Sequence, residues 1–192
     1  MDHQGTTLLL DECANWLMIN RIGYRIRQFR QSFKPALSQN DLDRLRLYLS
    51  PVEIVLFTKM PAPDQIHSIS VLNSVMVTGE KDEDLIKAAL LHDIGKGLHR
   101  LRRWERVFAV VIGGLFPKLD RAWGIGEPEG FRRPLVIIHQ HPDWGAELAA
   151  GAGCREELVW LIQNHENYQL PESTAPRKLE LLKILQSADN QN

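Results

Sequence analysis

The stretch Leu90-Leu91-His92-Asp93-Ile94-Gly95-Lys96-Gly97 decides how this chain is read. The apolar periodicity before it predicts a helix over 84–93. Helical steps back from Asp93 reach Leu90, Ala89 and Ile86, and those from His92 reach Ala89, Ala88 and Leu85. Both polar side chains therefore point toward apolar surroundings. A buried carboxylate is costly unless something positive compensates it. A metal ion held by the adjacent His and Asp would meet that need. A capping Asp and a packed core His before a glycine turn would use the same residues differently. The octapeptide alone does not separate the two.

Four more residues of ligand type stand in similar settings: His67, His141, His165 and Asp189. His67 lies on a helix one turn from Val71 and Ser74, where a core or surface histidine is the ordinary occupant. His141 precedes Pro142 and is expected to cap a helix that Pro142 begins. His165 and Asp189 project from apolar faces near helix ends, with Leu158, Leu161 and Ile162 behind the first and Leu182 and Leu185 behind the second. An aspartate on such a face needs a partner, and no sequence-local Arg or Lys clearly supplies one.

Around these residues the periodicity is helical almost throughout, so an all-α single domain is expected. Helices are predicted over 7–33 and from the starts Ser38-Gln39-Asn40-Asp41, Ser50-Pro51 and Ala62-Pro63-Asp64. Others are expected over 101–116, 142–148, 156–165 and 178–189, with loops at 124–134 and 171–176. The first 60 residues are read as N-terminal helices and 61–192 as the core that carries the ligand set.

The 192 residues carry 44% hydrophobic and 24% charged side chains, which is globular rather than disordered composition. The net charge of -1 gives no global reason to expect nucleic acid as a partner. Cys13 and Cys154 are isolated and fit a reducing compartment. The start lacks a signal-peptide pattern, and the longest apolar run, over 107–116, is too short to span a bilayer. A cytoplasmic protein is expected.

Four His and two Asp make a nitrogen-and-oxygen ligand set. Imidazole suits iron, manganese, zinc, cobalt or nickel, and carboxylate shifts the balance toward the harder of these. Six ligands exceed one four-coordinate zinc and suit two metals sharing a bridging carboxylate, with Asp93 as the bridge. Such a pair lowers the pKa of bound water and clamps phosphate oxygens during in-line displacement. Lys96 follows Asp93 and can meet a substrate phosphate, or lie solvated where a helix C-terminus favours a cation.

The order His67, His92-Asp93 and a distant Asp189 resembles the HD superfamily of metal-dependent phosphohydrolases. His141-Pro142-Asp143-Trp144-Gly145-Ala146 is similar to the His-Pro-Glu-x-Gly-Ala segment of HD-GYP cyclic-di-GMP phosphodiesterases. Asn164-His165-Glu166 resembles their His-His-Glu, and Ser187-Ala188-Asp189 their Val-Ala-Asp. HD-type diadenosine tetraphosphate hydrolases and cyclic-di-AMP phosphodiesterases share this progression. The resemblance runs over about 64–192. It implies an HD-domain helical bundle in which His67, His92, Asp93 and Asp189 hold one metal, and Asp93, His141 and His165 a second. It implies two divalent ions, iron or manganese foremost, with zinc, cobalt, nickel or magnesium also suited. It further implies Asp93 and Lys96 as catalytic residues, with Lys96 on phosphate.

Three features depart from members of the superfamily. Asn164 stands in place of the first His of the HD-GYP pair, and Asn167-Tyr168-Gln169-Leu170-Pro171 follows instead of a Gly-Tyr-Pro loop. Gly95-Lys96-Gly97-Leu98 replaces the Glu-Asp pair of guanosine tetraphosphate hydrolases. The expected activity is hydrolysis of a nucleotide or dinucleotide phosphoester or anhydride by a metal-activated hydroxide. The alternatives are a non-catalytic HD signalling module, or a single-metal HD 5′-nucleotidase in which His141 and His165 are bystanders.

Two basic stretches remain. Arg21, Arg25, Arg27, Arg30 and Lys34, interleaved with Tyr24, Phe29 and Phe33, suit either an acidic partner or the solvated face of an amphipathic helix. Arg100, Arg102, Arg103 and Arg106 either rim a phosphate pocket, with Arg103 as the candidate contact, or face solvent. His139 is a possible support for His141, and His99 a possible residue of the entrance.

Overall fold

The structure is a computed structural model and describes residues 37–192. The predicted helices over 7–33 and the basic stretch Arg21 to Lys34 lie outside the described residues. Nine α-helices and two short 3₁₀ turns make up the ordered elements among the described residues, with no strand. The protein is all-α.

Local chemistry sets the early helix starts. Ser38 and Ser50 each close a capping box, with Asp41 and Glu53 respectively, and open α1 (Gln39–Tyr48) and α2 (Pro51–Lys59). Each such cap is worth about 1 kcal/mol. Pro51 occupies the first turn of α2, where its missing N–H costs nothing. Helix α3 (Ala62–Val77) and helix α4 (Glu83–Leu91) follow, α4 capped by Asp82 accepting from the amides of Asp84 and Leu85.

Helix α4 is the middle of the bundle. Leu85, Ala88, Ala89, Leu90 and Leu91 are fully buried, and α3, α8 (Glu156–Asn164) and α9 (Pro176–Gln191) pack around it. Their inward residues Val71, Leu72, Val75, Leu158, Leu161, Ile162, Leu182 and Leu185 join it in one hydrophobic cluster. A helix apolar on nearly all sides can only be stable when surrounded in this way.

The second half differs from expectation around Pro142 and by a short helix over 117–123 that the sequence reading does not include. Pro142 does not start a helix; it lies inside α7 (Arg133–Gly151), which begins within the stretch expected to be loop. Pro134 takes the first turn instead, and Leu135, Val136 and Ile137 are buried. The short helix α6 (Pro117–Trp123) connects α5 (Arg103–Leu115) toward α7. Two ion pairs fasten α5: Arg106 donates both guanidinium nitrogens to Asp64 on α3, and Arg133 on α7 pairs with buried Glu105. Among the described residues, no helix is long and apolar enough to cross a membrane.

Candidate metal centre

Two of the ligand histidines, His92 and His165, sit where helices end. α4 stops at His92, which still has helical backbone angles. Asp93 then adopts φ -97°, ψ 7°, between the helical and extended regions, and the chain tightens into the 3₁₀ turn Ile94–Gly97. This turn lies directly on α7. A Cβ on Gly95 would collide with the His141 carbonyl and come within 2.8 Å of the Gly145 nitrogen. Only glycine permits that approach, and the approach is what brings Asp93 to His141.

All six expected ligands meet, and all six are buried: His67, His92, Asp93, His141, His165 and Asp189. The ligand atoms of His67, His92 and Asp93 form one group within 4.8 Å of one another, and those of Asp93, His141 and His165 form another. Asp93 belongs to both. Asp189 closes the first group, its Oδ1 lying 2.8 Å from His67 Nε2 and 3.6 Å from His92 Nε2. At the other end, His141 Nε2 is 3.1 Å from Asp93 Oδ1 and 3.2 Å from His165 Nε2. The partner that Asp189 lacked locally is thus His67, from a helix 122 residues earlier.

Three of the four imidazoles are fixed through Nδ1. His92 Nδ1 lies 3.2 Å from the Ala89 carbonyl, His141 Nδ1 2.8 Å from that of Ile138, and His165 Nδ1 2.7 Å from that of Ile162. A carbonyl only accepts, so Nδ1 carries the proton and Nε2 faces the cluster as a lone pair when the ring is neutral.

The electrostatics follow from this crowding. Burial pushes the His92 pKa down, but the Asp93 and Asp189 carboxylates outweigh it and carry it up to about 9. Burial, then the neighbouring His92 and His141, push His165 down to about 4. Burial opposes the charge of Asp93, yet Lys96, His92 and His141 hold its pKa well below the carboxylate range. Asp189 is held low in the same way by His67 and His92. Lys96 donates to Asp93 Oδ2 at 2.7 Å, and Asp93, Asp64 and Glu166 raise its pKa against the opposing effect of burial.

Two observations bear on whether a cation fits. His92 Nε2 and Asp93 Oδ1 are buried and make no hydrogen bond of good geometry, the nearest polar atoms being carboxylate oxygens at 3.6 Å for the first and His141 Nε2 at 3.1 Å for the second. The Nε2 atoms of His141 and His165 face each other at 3.2 Å, and in the Nδ1–H form of both rings neither can donate to the other. Both arrangements are unfavourable alone, and a positive ion between the atoms would resolve them. The imidazole-and-carboxylate set fits divalent metals such as manganese, iron or zinc.

The HD domain family model matches residues 65–190, which takes in every one of these ligands. The chain belongs to the HD domain family. The superfamily is one of metal-dependent phosphohydrolases, and the clustered His and Asp of this HD domain suit divalent metal binding. No curated protein and no solved structure gave a significant match.

Other residues fall outside the cluster. Arg103 is exposed at the start of α5. Arg106 is the arginine of that stretch drawn inward: Asp64, and beyond it Asp93, raise its pKa against the effect of burial. His139 is paired with Asp120 at 2.8 Å, and His99 packs on Trp144 with ring centroids 4.9 Å apart. Sequence reading missed Asp64 and Glu166. Asp64 sits one turn before His67 on α3, a spacing that marks it as a neighbour of the site. Glu166 Oε1 lies 3.9 Å from His141 Nε2, and its position directly after His165 is the signal. Glu166 also lines an open groove of about 570 Å³ with His139, Pro142, Asp143, Trp160 and Asn164.

Proposed function

We propose that this HD protein is a metal-dependent phosphohydrolase acting on a nucleotide or dinucleotide phosphoester or anhydride. The observation that carries this is a carboxylate, Asp93, shared by two buried ligand groups and paired at 2.7 Å with Lys96. In this reading His67, His92, Asp93 and Asp189 hold one divalent ion, and Asp93, His141 and His165 the other. Bound metals of this kind supply Lewis acidity toward phosphate oxygens and ionise water near neutral pH.

The protein's own groups divide the remaining work. Asp93 stays ionised, so it accepts hydrogen bonds and holds charge rather than donating a proton. The Lys96 side chain is 14% exposed, at the boundary between the buried carboxylate and solvent. Its ammonium can turn from Asp93 to an arriving phosphate, with Arg103 farther out as a second cation. The groove is lined by two acids, Asp143 and Glu166, and by no Lys or Arg. It disfavours phosphate and suits the uncharged end of a substrate. Trp160, Gln163, Asn164 and Asn167 offer an aromatic surface and carboxamides, the groups that recognise a nucleobase.

The test is phosphate release and product identification over mononucleotides, dinucleoside polyphosphates and cyclic dinucleotides, each with manganese or ferrous iron. Hydrolysis of one class that is lost in Asp93→Ala is the expected result. Turnover that survives in Asp93→Ala would rule the mechanism out. A protein that binds neither ion would point instead to a non-catalytic HD module.

A further inference from the structure

Helix α7 runs through Pro142, and the break in its hydrogen-bond ladder is where His141 is fastened. Proline has no N–H, so the Ile138 carbonyl, four residues earlier, loses its ordinary helical donor. His141 Nδ1 occupies that oxygen at 2.8 Å. Its Nε2 is thereby turned to Asp93 Oδ1 at 3.1 Å and to His165 Nε2 at 3.2 Å.

His92 and His165 make the same contact to the carbonyl three residues back. They have it by position. Each is the C-cap of its helix, where the last carbonyls have no helical donor. His141 instead lies within a helix of 19 residues that continues to Gly151. Carbonyls in such a place are ordinarily taken by backbone amides. Pro142 creates in mid-helix the acceptor that a helix terminus provides for the other two rings.

We propose that Pro142 is a positioning residue for the metal centre. By withholding a backbone donor from the Ile138 carbonyl, it leaves that oxygen to hold His141 in the Nδ1–H form, with Nε2 presented to the metal. The proposal rests on His141 being a metal ligand. In Pro142→Ala the restored amide competes for the oxygen, and the ring loses its fixed orientation.

The experiment uses the full chain and three proteins: wild type, Pro142→Ala, and a chain with lactic acid in place of Pro142. Lactic acid lacks the N–H, as proline does, but also lacks the ring. The first readout is the long-range ¹H–¹⁵N spectrum of the neutral His141 imidazole in metal-free protein. Wild type and the lactic acid chain should show the Nδ1–H form alone, and Pro142→Ala a mixture with Nε2–H. The second is affinity for manganese and zinc by chelator competition, expected to fall about 10-fold or more in Pro142→Ala and to recover with lactic acid. An Nε2–H ring in metal-free wild type would overturn the proposal whatever the variants do. So would unchanged spectrum and affinity in Pro142→Ala, or a lactic acid chain that behaves like the alanine variant. Failure of wild type to bind either metal would instead strike the proposed function, and the spectrum would still decide the role of Pro142.

Discussion

His141 Nε2 and His165 Nε2 face each other at 3.2 Å, and the other nitrogen of each ring is bonded to a carbonyl. In the Nδ1–H form of both rings two lone pairs meet there, and a shared cation would satisfy them. If two metals bind, His165→Ala should lower bound manganese from two per chain toward one. His67→Ala should do the same at the opposite end. Asp93→Ala, which removes the shared carboxylate, should weaken both sites. Metal content by mass spectrometry after gel filtration reads the pattern. A wild-type value of one, unchanged in His165→Ala, would favour the single-metal arrangement.

Lys96 touches Asp93 Oδ2 and is not one of the residues that form the two ligand groups. Lys96→Met should therefore keep its metal and lose turnover. The expected drop in kcat is roughly 100- to 1,000-fold, the usual loss when one charge-stabilising donor is removed. Equal metal content with kcat within threefold of wild type would exclude Lys96 from the phosphate.

Stability of the metal-free protein should peak near pH 6.5. His92 titrates at about 9 in the folded chain against an ordinary 6.5, so its contribution is complete below 6.5 and is lost as pH rises toward 9. His165 titrates at about 4, so folding opposes its protonation and stability falls as pH drops from 6.5 toward 4. Each limb is on the order of 3 kcal/mol. Asp93 and Asp189, held low, add a further loss below the ordinary carboxylate range. Bound metal takes the place of the His92 proton, so the alkaline limb should flatten on loading. Melting temperatures across pH, with and without chelator, check both statements.

Gly95→Ala should cost at least about 3 kcal/mol, because the added methyl meets backbone atoms that cannot give way. Metal binding should fail with it, since the turn can no longer seat Asp93 against α7. Gly114→Ala is the control: nothing lies within 4 Å of its added Cβ, and a helical alanine there should stabilise by up to about 1 kcal/mol. Thermal melts of the two variants should move in opposite directions, and metal content should fall in Gly95→Ala and stay at the wild-type value in Gly114→Ala.

Much of this arrangement can be read from single residues. Ser38 and Ser50 mark helix starts through local chemistry that tertiary structure does not override. His92 and Asp93 declare themselves because their helical neighbours are apolar, and α4 is indeed central. Pro142 misleads for a physical reason. A proline ordinarily ends or begins a helix, and the exception needs an outlet for the orphaned Ile138 carbonyl, which His141 provides. The pairing of Arg106 with Asp64 spans 42 residues and leaves no periodic signal, so no local pattern singles out Arg106 among its basic neighbours.

The fastening of α5 has a consequence for how the molecule opens. Among the described residues, neither α5 nor α6 contributes a side chain to the main apolar cluster, and only Glu105 and Ala109 of the two helices are buried. Polar pairs attach them: Arg106 to Asp64, Arg133 to Glu105, and His139 of α7 to Asp120 of α6. Backbone amides over 103–123 should therefore exchange with solvent in sub-global openings that leave α3, α4, α8 and α9 protected. The protein then behaves as a durable ligand-carrying body with a separately tunable flank, and changes in that flank can alter local breathing while leaving the opening of the body formed by α3, α4, α8 and α9 unchanged.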